Sequence, residues 1–119
     1  MTLVEASPVS ASDAKRNLAD LKHVKVVPNG TEAFLRKTVS LKPGSTVIID
    51  PPRSGAGREV VGQLVRLEAK NVVYVACDPI SLARDLKDFL AAGYEIQAIK
   101  AFDLFPHTHH FETVVSLVR

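Results

Sequence analysis

Cysteine occurs once in this chain, as Cys77 within "VVYVACDPISLARDL" (residues 72–86). The sulfur stands between an apolar run and Asp78-Pro79, a pair that reads as a helix start. Two roles suit such a position. A free cysteine packs as a small hydrophobe, whereas a cysteine at the mouth of a helix is favoured as the nucleophilic thiolate. Three other groups could share chemistry with it. "IIDPPRSG" sets Asp50 and Arg53 around a double proline, whose fixed φ makes a stiff strand exit. That exit either aims both side chains into a cleft or is a rigid loop with a surface ion pair. Glu5 closes "TLVE" ahead of a helix, where an acid can accept the two hydroxyls of a ribose or simply stay solvated. Glu112 opens the apolar "FETVV". A carboxylate there is costly without a task or a partner, which makes it a candidate general base.

"DLFPHTHHFE" gathers His107, His109 and His110 near Asp103. Zinc is the obvious alternative for such a group. The spacing is irregular, and neighbouring residues of a strand point to opposite faces. Hairpin packing or catalytic positioning is the better reading, and no metal is expected.

The elements that must hold these residues alternate between short apolar runs and helical patterns. That alternation is the pattern of an α/β domain with a mostly parallel sheet. "TLVE" predicts a strand, and Ser7-Pro8 the cap and first turn of a helix on which Ala14, Leu18 and Leu21 share a face. "VKVVP" predicts a second strand, followed by the turn Asn29-Gly30 and a short helix over 31–37. "TVIID" is apolar without alternation, as expected of a strand buried on both faces. Val60, Val61, Leu64 and Val65 form a helical stripe, and "VVYVA" is another buried strand. Asp78 then caps a helix with Leu82, Ala83, Leu86, Phe89 and Leu90 inward and Gly93 as its stop. "YEIQAIKA" and "FETVVSLVR" are joined too closely for a crossover helix, so the last strand is expected to run antiparallel. Glu5, Asp50 and Cys77 would all lie at the carboxyl edge of the sheet, where open α/β sheets bind ligands.

Composition narrows the function classes. With 119 residues, 46% of them hydrophobic and 24% charged, the chain is one domain in size and ordinary for a globular protein. A formal charge of +2 does not by itself argue for nucleic acid. One cysteine excludes an internal disulfide framework and an all-cysteine metal site within the chain. No run reaches transmembrane length and "MTLVEASPVS" lacks a signal-peptide layout, so a cytoplasmic location and no membrane partner are expected.

Taken in order, "IIDPPRSGAG", "VVYVACDPISLARDL", "GYEI" and "DLFPHTHHFETV" closely resemble the C-terminal catalytic part of the RNA uracil-C5 methyltransferases. Those enzymes make 5-methyluridine in tRNA and rRNA. The resemblance implies a Rossmann-like S-adenosylmethionine-dependent methyltransferase fold, truncated at its N-terminal side. It matches Cys77 to the nucleophile, Glu112 to the base, and Arg53 to an arginine near the reacting base. Glu5 and Asp50 match contacts to the cofactor, S-adenosylmethionine. Ala76 and Asp78 stand where the family usually has serine and asparagine, and Gly30 where it often has an acid or amide.

The resemblance also implies an RNA partner, and residues 1–119 as a portion of the catalytic domain in which the first strand and cofactor loop are absent. That strand would lie at the centre of the sheet, so a gap with unpaired backbone is expected. The chain would act as a piece of a larger enzyme or with a partner chain. A catalytically inactive RNA-binding or assembly remnant is the alternative.

Overall fold

The computed structural model describes residues 1–104, 106–108 and 111–119. His109 and His110, two of the three histidines considered as metal ligands, lie outside the described residues, as does Phe105. The elements follow the expected alternation: β1 (Thr2–Glu5), α1 (Pro8–Asn17), β2 (Lys25–Pro28), α2 (Thr31–Lys37) and β3 (Thr46–Ile49). Then come α3 (Gly57–Arg66), β4 (Asn71–Ala76), α4 (Pro79–Ala91), β5 (Glu95–Phe102) and β6 (Glu112–Val118). Among the described residues no helix is long and apolar enough to cross a membrane.

Two compact units form, Met1–Thr38 and Val39–Arg119. In the first, β1 and β2 pair in parallel, with Leu3 opposite Val26. Ser7 Oγ accepts the Ser10 N–H and Pro8 occupies the first turn of α1, as the sequence implies. The helix ends sooner than its apolar pattern suggests. Leu18 is already the C-cap and Leu21 is exposed, so the face buried by α1 centres on Ala11 instead.

The second unit is a four-stranded sheet in the order β3-β4-β6-β5, parallel between β3 and β4 and antiparallel on both sides of β6. The antiparallel direction of the last strand is therefore as expected. Its place between β4 and β5 suits its composition. Along β6, Thr113, Val115 and Leu117 are buried, whereas every residue of β5 is exposed. An edge strand tolerates Glu95, Gln97 and Lys100, and an interior strand would have to bury some of them. The core of this unit joins Val61 and Leu64 of α3, Leu82, Leu86 and Phe89 of α4, and Val72 and Tyr74 of β4. Phe89 meets Tyr94 edge to face at 5.1 Å between ring centroids.

Two burial expectations fail here, each for a geometric reason. β3 is not buried on both faces: it is an edge strand of its sheet, and Ile48 is 70% exposed. β1 and β2 form a separate two-stranded sheet. On α4, Ala83 and Leu90 face outward, and the inward positions include Ser81 and Asp85. The helical stripe is rotated toward a polar pair that hydropathy does not mark.

Candidate functional site

β4 delivers Cys77 to the carboxyl edge of the sheet, and α4 starts immediately beyond it. Cys77 is a free, half-buried thiol rather than a sealed core residue. Asp78 caps the helix: its Oδ2 accepts the Ser81 N–H at 2.7 Å, while Ser81 Oγ donates to the Asp78 carbonyl. Hydrogen bonds from Ser81, backbone first and then hydroxyl, hold the Asp78 carboxyl below its ordinary value, with a smaller contribution from the charge of Arg53. A carboxylate therefore stands next to the sulfur, and the Arg53 guanidinium lies within electrostatic reach of that carboxylate.

The β4–β6 ladder decides where Glu112 goes. The ladder ends with Ala76 opposite Thr113 in antiparallel register, and these two residues adjoin Cys77 and Glu112. Directly paired residues have Cα atoms about 4.5–5.5 Å apart and point to the same face of the sheet. Ala76 and Thr113 are buried together, while Cys77 and Glu112 are both half-buried on the alternate face. Residues 35 apart in sequence thus share one ledge.

The stiff exit after β3 builds the third part of the site. Asp50 is exposed directly beyond Ile49, whose partner on β4 is Tyr74. The Gly55 N–H donates to the Pro52 carbonyl at 2.8 Å, closing a turn with Arg53 and Ser54 at its corners. What holds this turn is a group the sequence reading missed. Asp85 of α4 is fully buried, and its Oδ2 accepts the Tyr74 hydroxyl at 2.7 Å, the Ala56 N–H at 2.7 Å and the Gly57 N–H at 3.1 Å. Its Oδ1 accepts Arg84 Nε at 3.1 Å and Nη2 at 2.9 Å, and Nη2 also donates to the Ser54 carbonyl at 2.7 Å. The signal available in sequence was the charged Arg84-Asp85 inside an otherwise apolar helical stripe.

Burial alone would raise the Asp85 carboxyl. Its hydrogen bonds from Tyr74, Gly57, Arg84 and Ala56 outweigh that and hold it below the ordinary value. Tyr74 moves the other way: burial, then the bond to Asp85, push the phenol far above its ordinary value, so it remains a donor. A depressed carboxyl contributes stability that is present above its unfolded value, about 3.9, and is lost as pH falls through the folded one. Chemical denaturation should therefore show the wild type more stable than Asp85→Asn at pH 7. The gap should narrow as pH falls below about 4. A gap that stays constant into that acid range would contradict the assignment of the charge.

Glu5 lies in the first unit, at the carboxyl end of β1, half-buried. Its Oε1 accepts the Ser7 N–H at 2.7 Å. The second carboxylate oxygen has no protein donor among the described residues, which suits an acceptor for an exogenous hydroxyl. The structure thus brings Cys77, Glu112, Asp50 and Arg53 to one edge of the four-stranded sheet, while Glu5 ends β1 in the other unit. Two cavities among the described residues include none of them. One, of about 250 Å³, lies between α3 and α4, and the other, of about 380 Å³, lies near Ser40–Ser45 and Leu67–Lys70.

Comparison with known proteins identifies the family. The family model of tRNA (uracil-5-)-methyltransferases matches residues 29–119. An uncharacterized RNA methyltransferase of Streptomyces avermitilis is 44% identical over 96% of this chain, and one of Thermotoga maritima is 42% identical over 98%. The chain spans about a quarter of the length of each, 26% in both cases. The crystal structure of the Pyrococcus abyssi tRNA (uracil-54, C5)-methyltransferase in complex with S-adenosyl-L-homocysteine superposes with a TM-score of 0.80 at 34% identity. That match covers 98% of this chain and 28% of the other. An Escherichia coli methyltransferase-like structure with 17% identity and a TM-score of 0.68 shares the fold alone. The Rossmann-like methyltransferase architecture expected from the sequence is therefore the observed one, and the chain belongs to the tRNA (uracil-5-)-methyltransferase family.

Proposed function

We propose that these residues carry the nucleophile and the base of an enzyme that transfers a methyl group from S-adenosylmethionine to carbon 5 of uridine in tRNA or rRNA. The observation that supports this reading most directly is the β4–β6 register, whose last pair, Ala76 and Thr113, adjoins Cys77 on one strand and Glu112 on the other. Carbons 5 and 6 of uracil are bonded neighbours, so a nucleophile for one and a base for the other must converge on one ring.

Carbon 5 is too weak a nucleophile to take a methyl group unaided. The Cys77 thiolate adds to carbon 6, and the electron pair of the 5,6 double bond moves toward carbon 5 and the carbonyl as an enolate. Arg53, at the corner of its turn, is the cation placed to steady that charge. When bound, S-adenosylmethionine supplies the electrophilic methyl group for carbon 5 and leaves as S-adenosylhomocysteine. Glu112 then removes the proton from carbon 5, the double bond re-forms, and the sulfur–carbon bond breaks to return the thiolate. The free Glu5 oxygen fits a ribose hydroxyl of the cofactor, and Asp50 is the second acceptor at a strand end. The target base has to leave its stack to reach the ledge.

The reading extends to incompleteness. The relatives are about four times as long as the matched segment, and β3 is an edge strand among the described residues, with Ile48 exposed. Methyl transfer accordingly needs sequence beyond these residues for much of its cofactor and RNA sites. In the complete enzyme, RNA containing 5-fluorouridine should be trapped covalently at Cys77 in the presence of S-adenosylmethionine, with the adduct located by peptide mass. Calorimetry should show cofactor binding. Residues 1–119 alone should transfer little or no methyl. RNA retention with neither adduct nor cofactor binding would favour a non-catalytic role, and brisk turnover by the 119-residue chain would contradict the incompleteness.

A further inference from the structure

The buried carboxylate of Asp85 links three segments near Cys77: β4, α4 and the loop after β3. Tyr74, three positions before the cysteine, lies on the strand that delivers it, and Asp85 itself lies on the helix that leaves it. Ala56 and Gly57 end the loop that carries Asp50 and Arg53, and Arg84 ties that same loop through the Ser54 carbonyl. There is no room for this arrangement to slide. A Cβ built on Gly55 would stand 2.6 Å from both Arg84 Nη2 and Asp85 Oδ2. The loop's amides are thus packed onto a charge whose own position is fixed by strand and helix together.

We infer that Asp85 is a positioning residue for the methyl-transfer reaction: it sets the Arg53 turn at a fixed place relative to Cys77. The inference rests on the proposed reading of Cys77 and Arg53. Asp85 touches no reacting atom and acts through the loop. A purely structural group would lower the melting temperature and leave the rate per folded molecule alone. A positioning group lowers the rate through Arg53 and through nothing else, which a double-mutant cycle can separate.

The test uses the complete enzyme with Asp85→Asn, Arg53→Ala and the double substitution, assayed by single-turnover methyl transfer well below the melting temperature. Hydrogen exchange at the Ala56 and Gly57 amides reports the tether independently of activity. The expected result is faster exchange at both amides and a fall of about tenfold or more in the single-turnover rate of Asp85→Asn, with cofactor affinity within twofold of wild type. In the Arg53→Ala background, Asp85→Asn should add almost nothing to the loss. Faster exchange with an unchanged rate, or losses that multiply in the double variant, would overturn the positioning role. Failure of the underlying reading has a different signature: the wild-type enzyme would form no adduct at Cys77, and this inference would fall with it.

Discussion

Cys77→Ala in the complete enzyme is expected to lower methyl transfer to RNA by about 10⁴-fold or more, whereas Glu112→Gln is expected to stall the enzyme with RNA still attached. The two outcomes differ because the proposed mechanism sets the two residues on opposite sides of a covalent intermediate. Without the sulfur nothing adds to carbon 6, carbon 5 never becomes an enolate, and no adduct appears. Without the base the adduct forms, and loss of the carbon 5 proton becomes limiting; a positioned base typically contributes about 10²–10⁴-fold. Glutamine keeps the size of Glu112 and its place at the first residue of β6, so the β4–β6 register should survive. Methyl incorporation and a covalent RNA–protein band on a denaturing gel read the two steps separately. Normal turnover by Glu112→Gln would remove it as the base. An adduct in Cys77→Ala would remove the sulfur as the nucleophile.

Gly55→Ala should destabilise the chain by about 2–4 kcal/mol, combining left-handed backbone strain with displaced buried polar contacts. The backbone at Gly55 has φ of +82°, where an L side chain is strained. The new Cβ would also strike the guanidinium of Arg84, which can swing, and the Asp85 carboxylate, which is fully buried and cannot. Gly44 supplies the control. Its φ is +74°, and an added Cβ there meets nothing within 4 Å. Gly44→Ala should therefore cost only the strain, about 1–2 kcal/mol. Equilibrium denaturation of the two variants isolates the contact. Equal losses at Gly55 and Gly44 would mean that the clash is relieved without cost and that the Asp85 tether is looser than its distances imply.

Much of this protein could be read from order and spacing. The helix starts at Ser7-Pro8 and Asp78-Pro79 are local devices, and each caps the helix it was expected to cap. The alternation of strands and helices is also local, because it depends on the period of apolar residues within each segment. So is the arrival of Asp50 and Cys77 at strand ends. Where local pattern failed, it failed at faces. Ala83 and Leu90 match a helical stripe yet face outward, because α4 turns Asp85 and Ser81 inward. Ile48 is as apolar as any core residue and is exposed, because burial of a strand depends on which neighbours it has.

The sequence by itself determined which residues could do the chemistry and which element would end on each of them. It could not determine strand order, and the site depends on strand order. Had β5 rather than β6 paired with β4, Cys77 would still end a strand and Glu112 would still begin one, with another strand between them. Tertiary structure placed β6 inside because its apolar alternation can be buried and the charged β5 cannot. It likewise drew Asp85, Tyr74 and the Arg53 turn together from three segments with no periodicity in common. A hydrogen bond between distant residues leaves no local trace, since the cost of burying each partner is met only after the chain has folded.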